Sequence, residues 1–307
     1  MKNFLKRIPL PITGVALGLL ALGNLLQSYN ETVRLVLGAI GGIFVILAIL
    51  KIIFLPEDFK EDMKNPITAS VFLTTTMALM LIAGYLKPYI GGASKIIWYI
   101  AIASHIALMI FFTVRFIFNF DLKKVFSSYY IVYVGIAVAS ITAPAFDSLN
   151  IGKIAFWFGI VTFAILFLIS TKRYMTYREI PDPAKPIICI TAAPMSLCLA
   201  GYNASFETKS TTFVIIMLAI ASVLYIYSLI KAIGYLRLPF FPSYAAFTFP
   251  FVISAIAMKS SIGFLTKAGL NVAWLKPVSI AQIVIATALT IYVAIRYIIF
   301  IFASKKA

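Results

Sequence analysis

Apolar positions in this chain come in long blocks rather than alternating with polar ones. Blocks of about 17 to 25 residues, each able to carry a helix through roughly 30 Å of hydrocarbon, fall at 10–27, 33–54, 66–85, 96–118, 126–145, 151–171, 186–205, 213–236, 242–261 and 278–302. A membrane barrel needs short alternating strands, and unbroken runs such as 96–110 exclude that pattern. The blocks predict an all-α polytopic membrane protein with ten transmembrane helices.

The blocks are of two kinds. Gly, Pro, Ser and Thr make up 31 of the 98 residues in the odd-numbered blocks and 16 of the 115 in the even ones. Small and hydroxyl residues let helices approach closely or face water, whereas Leu, Ile and Phe suit lipid. The odd blocks start at 10, 66, 126, 186 and 242, at intervals of 56, 60, 60 and 56 residues. This period predicts five helical hairpins in one transmembrane domain, 1–307, with repeats near 1–60, 61–120, 121–180, 181–238 and 239–307. A two-helix repeat preserves orientation, so the hairpins should stand parallel, in quasi-fivefold arrangement, with the odd helices lining a central pore.

Composition then removes the soluble classes: 62% of residues are apolar, 12% are charged and mean hydropathy is +1.02. The net charge of +16 is a matter of topology before it is one of nucleic-acid partners, and none is expected. Loops on the side of the termini carry 18 Lys and Arg against eight opposite, which predicts cytoplasmic termini. The basic start of the chain lacks a small-residue cleavage site, so the first block reads as a retained span. Lys51, Arg115, Lys172, Arg173, Lys231 and Arg296, near the ends of even blocks, read as snorkelling to headgroups.

Catalytic chemistry is sparse. All ten carboxylates fall in loops or at helix ends, and the lone histidine, His105, reads as a hydrogen-bonded packing residue. Cys189 and Cys198 lie on opposite faces of one helix, about 13 Å apart along its axis, and cannot pair. No metal centre, cofactor or enzyme activity is expected. Proton relays and cation pathways need acids at depth, which are missing here. With carboxylates deducted, both faces keep a positive excess, +11 and +5. That balance predicts small inorganic anions as the partners of a path lined by hydroxyls and small residues, with Thr13, Gly14, Ser140 and Thr248 as candidates. Pro144, Pro194 and Pro250 lie inside odd blocks, where each predicts a kink beside that path.

The ninth block reads Ala246-Phe247-Thr248-Phe249-Pro250 and continues through Ser254, Ala255 and Ala257. It resembles the aromatic-Thr-Phe-Pro segment of the tellurite-resistance and dicarboxylate transporter family, which includes bacterial TehA proteins, plant guard-cell slow anion channels and yeast-type malate transporters. Pro9-Leu10-Pro11-Ile12-Thr13-Gly14 and Leu17-Gly18-Leu19 are similar to that family's opening pattern. The resemblance implies five hairpins around a pore, a homotrimer with one pore per protomer, and a pore-occluding phenylalanine at Phe249. Many relatives carry Trp or another aromatic where this chain has Ala245, and regulation through long terminal tails, as in the plant branch, is not expected. The expected function is an anion channel or channel-like transporter in a bacterial inner membrane. The alternative is a carrier of dicarboxylate or tellurite-like oxyanions.

Overall fold

The computed structural model describes residues 2–303. Lys305 and Lys306, counted above on the terminal side, lie outside the described residues. In chain order the principal apolar helices are α1 (Ile12–Leu26), α2 (Glu31–Phe54), α3 (Pro66–Ile90), α4 (Ala93–Ile117), α5 (Gly135–Phe146), α6 (Leu149–Thr176), α7 (Asp182–Ser205), α8 (Thr211–Tyr235), α9 (Pro242–Lys267) and α10 (Leu275–Ala303). Among the described residues there is no strand, and eight helices are long and apolar enough to cross a membrane; α1 and α5 are shorter.

Small-residue content sorts the helices by depth. In the apolar windows of α3, α7 and α9, 72%, 89% and 78% of positions are buried, against 17% to 39% in the even-numbered helices. In α1 all but two residues are buried. Even-numbered helices turn Ile, Val and Phe outward, including Ile100, Ile165 and Ile230. A surface of that kind is stable in lipid and not in water. The Phe4 and Phe302 rings, 5.8 Å apart, bring both ends of the described chain to one side.

Three of the odd-numbered helices, α3, α7 and α9, are built in two pieces. A break at Leu73 divides α3 into Pro66–Phe72 and Thr74–Ile90. The first part of α7, Asp182–Ala192, is a 3₁₀ helix that becomes α-helical at Ala193, and α9 changes in the same way after Pro242–Phe247. Pro194 and Pro250 each sit one residue into the α-helical piece, at its junction with the 3₁₀ segment, and beside Pro250 the backbone leaves helical geometry at Thr248. Pro144 lies in the closing 3₁₀ turn Ala143–Phe146. The Ser140 carbonyl, four residues earlier, accepts from Ser205 Oγ at 2.6 Å. The single helix expected over 126–145 is corrected, because Tyr129–Tyr133 and α5 form a broken series of short turns. Gly135 is needed there: a Cβ would meet Met77 Sδ at 2.9 Å and His105 Cε1 at 3.2 Å.

Hydroxyls bind the odd-numbered segments to one another. Thr13 Oγ1 meets Thr74 Oγ1 at 2.7 Å, joining α1 to α3, and Ser70 donates to Ser128 at 2.7 Å just before α5. Ser205 reaches from α7 to the Ser140 carbonyl of α5, and Ser196 meets Ser254 of α9 at 3.0 Å. Thr248 Oγ1 of α9 donates to Gly14 O of α1 at 3.1 Å, which closes the circuit. A polar side chain in an apolar medium is stabilised by such a bridge, at about 0.5 to 2 kcal/mol each.

Buried cations depart from the snorkelling expectation. Lys51 donates to Ile8 O at 2.9 Å and to Asp62 at 3.1 Å, clamping the start of the chain to the end of α2. Arg173 is 2% exposed, lies 4.4 Å from the Phe126 ring centre and donates to Tyr177 O. Enough carbonyls, rings and carboxylates stand at this end of the bundle to hold both ions inside. His105 is fully buried: Nε2 donates to Val132 O at 3.2 Å, and Nδ1 faces the Thr76 hydroxyl at 2.7 Å. Cys189 and Cys198 are buried thiols without a disulfide.

Candidate functional site

Two cavities open into the bundle, and Phe249 belongs to the wall of both. The terminus-side cavity, about 280 Å³, is lined from each odd-numbered segment, with Gly14, Thr74, Val134, Pro194 and Ala246 among its walls. The far-side cavity, about 320 Å³, is lined from α1, α3, α5 and α9, with Leu81, Ile141 and Ile253 among its walls. Neither wall includes a residue of an even-numbered helix. Phe249 is 7% exposed and is the single residue that the two walls share.

A close crossing of α1 and α9 positions this ring. The backbone leaves helical geometry at Thr248 (φ −99°, ψ −94°), and Phe249 opens the α-helical piece that follows. Gly18 faces the junction: a Cβ there would come within 2.5 Å of Thr248 Cβ and 3.0 Å of the Phe249 backbone nitrogen. One turn earlier, a Cβ on Gly14 would stand 3.2 Å from Ala245 Cβ. Small residues thus let α1 lie directly against the break, and the Thr248 hydroxyl, bonded to Ala245 O and Gly14 O, ties it down. Beyond it, Ser254 Oγ donates to Pro250 O at 2.9 Å, so the first turn of the second piece is braced as well.

Of the residues singled out by sequence, Gly14, Pro194, Phe249 and Pro250 meet at the terminus-side cavity. Thr13, Ser140 and Thr248 lie elsewhere, between helices, with their hydroxyls bonded to Thr74, Gly152 O and Gly14 O. Pro144 is exposed at the end of α5. The cavity walls are consequently more apolar than a hydroxyl-lined path. Among the polar exceptions on the terminus side are the Asn65 amide, whose oxygen caps α3 by accepting from Ile67 N at 2.9 Å, and Ser243, whose buried hydroxyl has no partner among the described residues. No charged residue lines that cavity, whereas Lys259 lines the other. Phe247 is fully buried, with its ring 4.9 Å from that of Tyr244, outside both walls.

The voltage-dependent anion channel (SLAC1) family model aligns with residues 7–298, nearly the whole chain. The chain belongs to the SLAC1 family. No curated protein matches it. As a SLAC1-family member it is a multi-pass membrane protein for ion transport, of the anion-channel class, and small anions are its substrates. The family comprises channels and transporters rather than enzymes.

Three residues at the site escaped the sequence reading. Gly18 entered only through its Leu-Gly-Leu string, and nothing in the string names Thr248 as its contact. Lys259 falls inside the ninth apolar block rather than in a loop, and it lines a cavity. Asn24 is the one Asn or Asp within the first block, and that isolation is the signal that marks it.

Proposed function

We propose that this SLAC1-family chain is a TehA-type channel for small monovalent anions, held shut at rest by the Phe249 ring. The observation that carries the reading is the place of Phe249 in both cavity walls. A hydrated anion needs replacement ligands wherever its water is stripped, and a phenyl edge supplies few. The conduction path follows the odd-numbered segments, with Gly14, Pro194 and Pro250 on its wall and Thr13, Ser140, Pro144 and Thr248 supporting it. In support, both cavities draw on odd-numbered segments alone, and hydroxyl bridges link those segments in a closed circuit.

The finer architecture belongs to the same proposal. Ten spans form five hairpins in quasi-fivefold order within a single domain, with the two shorter helices as the first and fifth spans. The termini face the cytoplasm of a bacterium, on the side of greater basic charge, and three protomers assemble, each with its own pore, as the resemblance implies. Purified protein in a planar bilayer under asymmetric potassium chloride tests the reading. A reversal potential near that of chloride with discrete unitary currents is expected. Equal potassium and chloride permeability would overturn the anion reading, and saturating counter-transport in liposomes without unitary current would favour a carrier of dicarboxylates or oxyanions.

A further inference from the structure

The far-side cavity carries hydrogen-bond donors that the fold leaves unused. Arg34 Nε donates to Asn24 Oδ1 at 3.1 Å, and because a guanidinium can only donate, this contact settles which end of the amide is oxygen. The two Nδ2 protons of Asn24 are left without a protein partner among the described residues, and Asn24 lines the cavity. Lys259 stands on the same wall. Its ammonium has three protons, two of which go to Leu25 O at 3.3 Å and Ser28 Oγ at 2.6 Å, with the Tyr29 ring centre 4.7 Å away. The third has no partner among the described residues. Ser260 is already occupied, donating to Ala257 O and accepting from Asn203.

Acceptors are scarce on this wall. No carboxylate lines the cavity, and Glu31, on the turn of α2 beside it, is paired with Arg34. The remaining wall includes Leu81, Val138, Ile141 and Ile253, an apolar surround that strengthens any charge pairing. We propose that the far-side cavity holds an anion subsite, in which a halide or nitrate is bound between the Asn24 amide and the Lys259 ammonium, about 15 Å along α9 from Phe249. The subsite rests on the channel reading. It adds a stopping place at which an anion exchanges part of its hydration for fixed donors before meeting the ring. Arg34 acts through Asn24, as a positioning residue.

The test uses the full chain with Phe249→Ala, so that current can be read. Chloride titrated on the face where α9 ends should half-saturate the current at about tenfold higher concentration after Lys259→Gln, the loss of one charge in an apolar cavity. Asn24→Ala should raise it several-fold, and Lys259→Arg should recover most of the loss. Ser28→Ala removes the tie to the α1–α2 turn and keeps the charge, so it should leave half-saturation unaltered. Unchanged half-saturation in folded Lys259→Gln protein, or an equal shift in Ser28→Ala, would overturn the subsite. If Phe249→Ala carries no anion current, the channel reading fails, and crystals of wild-type protein soaked in bromide decide the subsite separately. Anomalous scattering beside Asn24 and Lys259 that is lost in Lys259→Gln supports it, and its absence overturns it.

Discussion

The two cavities that meet at Phe249 differ in charge far more than in size. The terminus-side cavity has an uncharged wall that includes first turns of α3, α7 and α9, while the far-side cavity has a lysine among aliphatic side chains. Most basic residues of the chain nevertheless fall in loops or at helix ends on the terminus side. Loop charge and wall charge are therefore separate quantities here. Loop charge sets orientation and concentrates anions at a mouth, whereas a wall charge acts at contact distance in a low dielectric. The two walls share only Phe249, and in the proposed reading its ring is the barrier and the lysine a modifier on one side of it.

The largest effect should come from erasing the boundary. Phe249→Ala should raise unitary conductance at least about tenfold by joining the cavities, and Phe249→Leu should fall between it and wild type. Phe247→Ala is the control: its buried ring packs on Tyr244, so the change should cost about 3 to 5 kcal/mol of stability without opening a path. Conductance and thermal unfolding of the three purified variants check this, and an equal gain from Phe247→Ala would mean loosened packing rather than a lost barrier.

A smaller effect should follow from moving the boundary. Gly18→Ala places a methyl against Thr248 and should displace the Thr248–Phe249 junction, at about 1 to 3 kcal/mol in stability. The expected result is a resting leak well below that of Phe249→Ala. In a double variant the leak should disappear into the Phe249→Ala value, since both changes act on one element. Additive currents would show that Gly18 acts elsewhere.

The smallest effect concerns the bridges rather than the cavities. Thr13→Val keeps the shape and removes the bond to Thr74, which should lower stability by about 0.5 to 1.5 kcal/mol and leave conductance in the Phe249→Ala background unchanged. A marked fall in that conductance would return Thr13 to the conduction path.

These residues also mark what the sequence could and could not reveal. Small-residue content distinguished α3, α7 and α9, now buried, from α4 and α6, now largely outward, because close helix contact and lipid contact select different side chains. Direction around each helix was not legible. In α1 nearly every residue is buried whatever its azimuth, so no stripe separates wall from packing. Thr13, Ser140 and Thr248 were accordingly placed on a path, although a hydroxyl in an apolar bundle is equally well served by a neighbouring helix. The two-piece build of α7 and α9 was half visible: the prolines announce a change in the chain, but whether it is a kink or a fresh first turn depends on the 3₁₀ segment before it. Phe249 came from resemblance to a motif, since nothing in the pattern of 26 phenylalanines sets it apart.

The most direct test of the central claim asks whether Phe249 separates two aqueous spaces. With Cys189 and Cys198 replaced by serine, single cysteines at Thr68 and Ile256 report on the terminus-side and far-side cavities respectively. A membrane-impermeant anionic thiol reagent is applied to one face of oriented vesicles at a time. With Phe249 intact, Thr68→Cys should be modified only from the side of the termini and Ile256→Cys only from the opposite side. Modification of either cysteine from both sides would mean that the ring is no barrier, and would contradict the account.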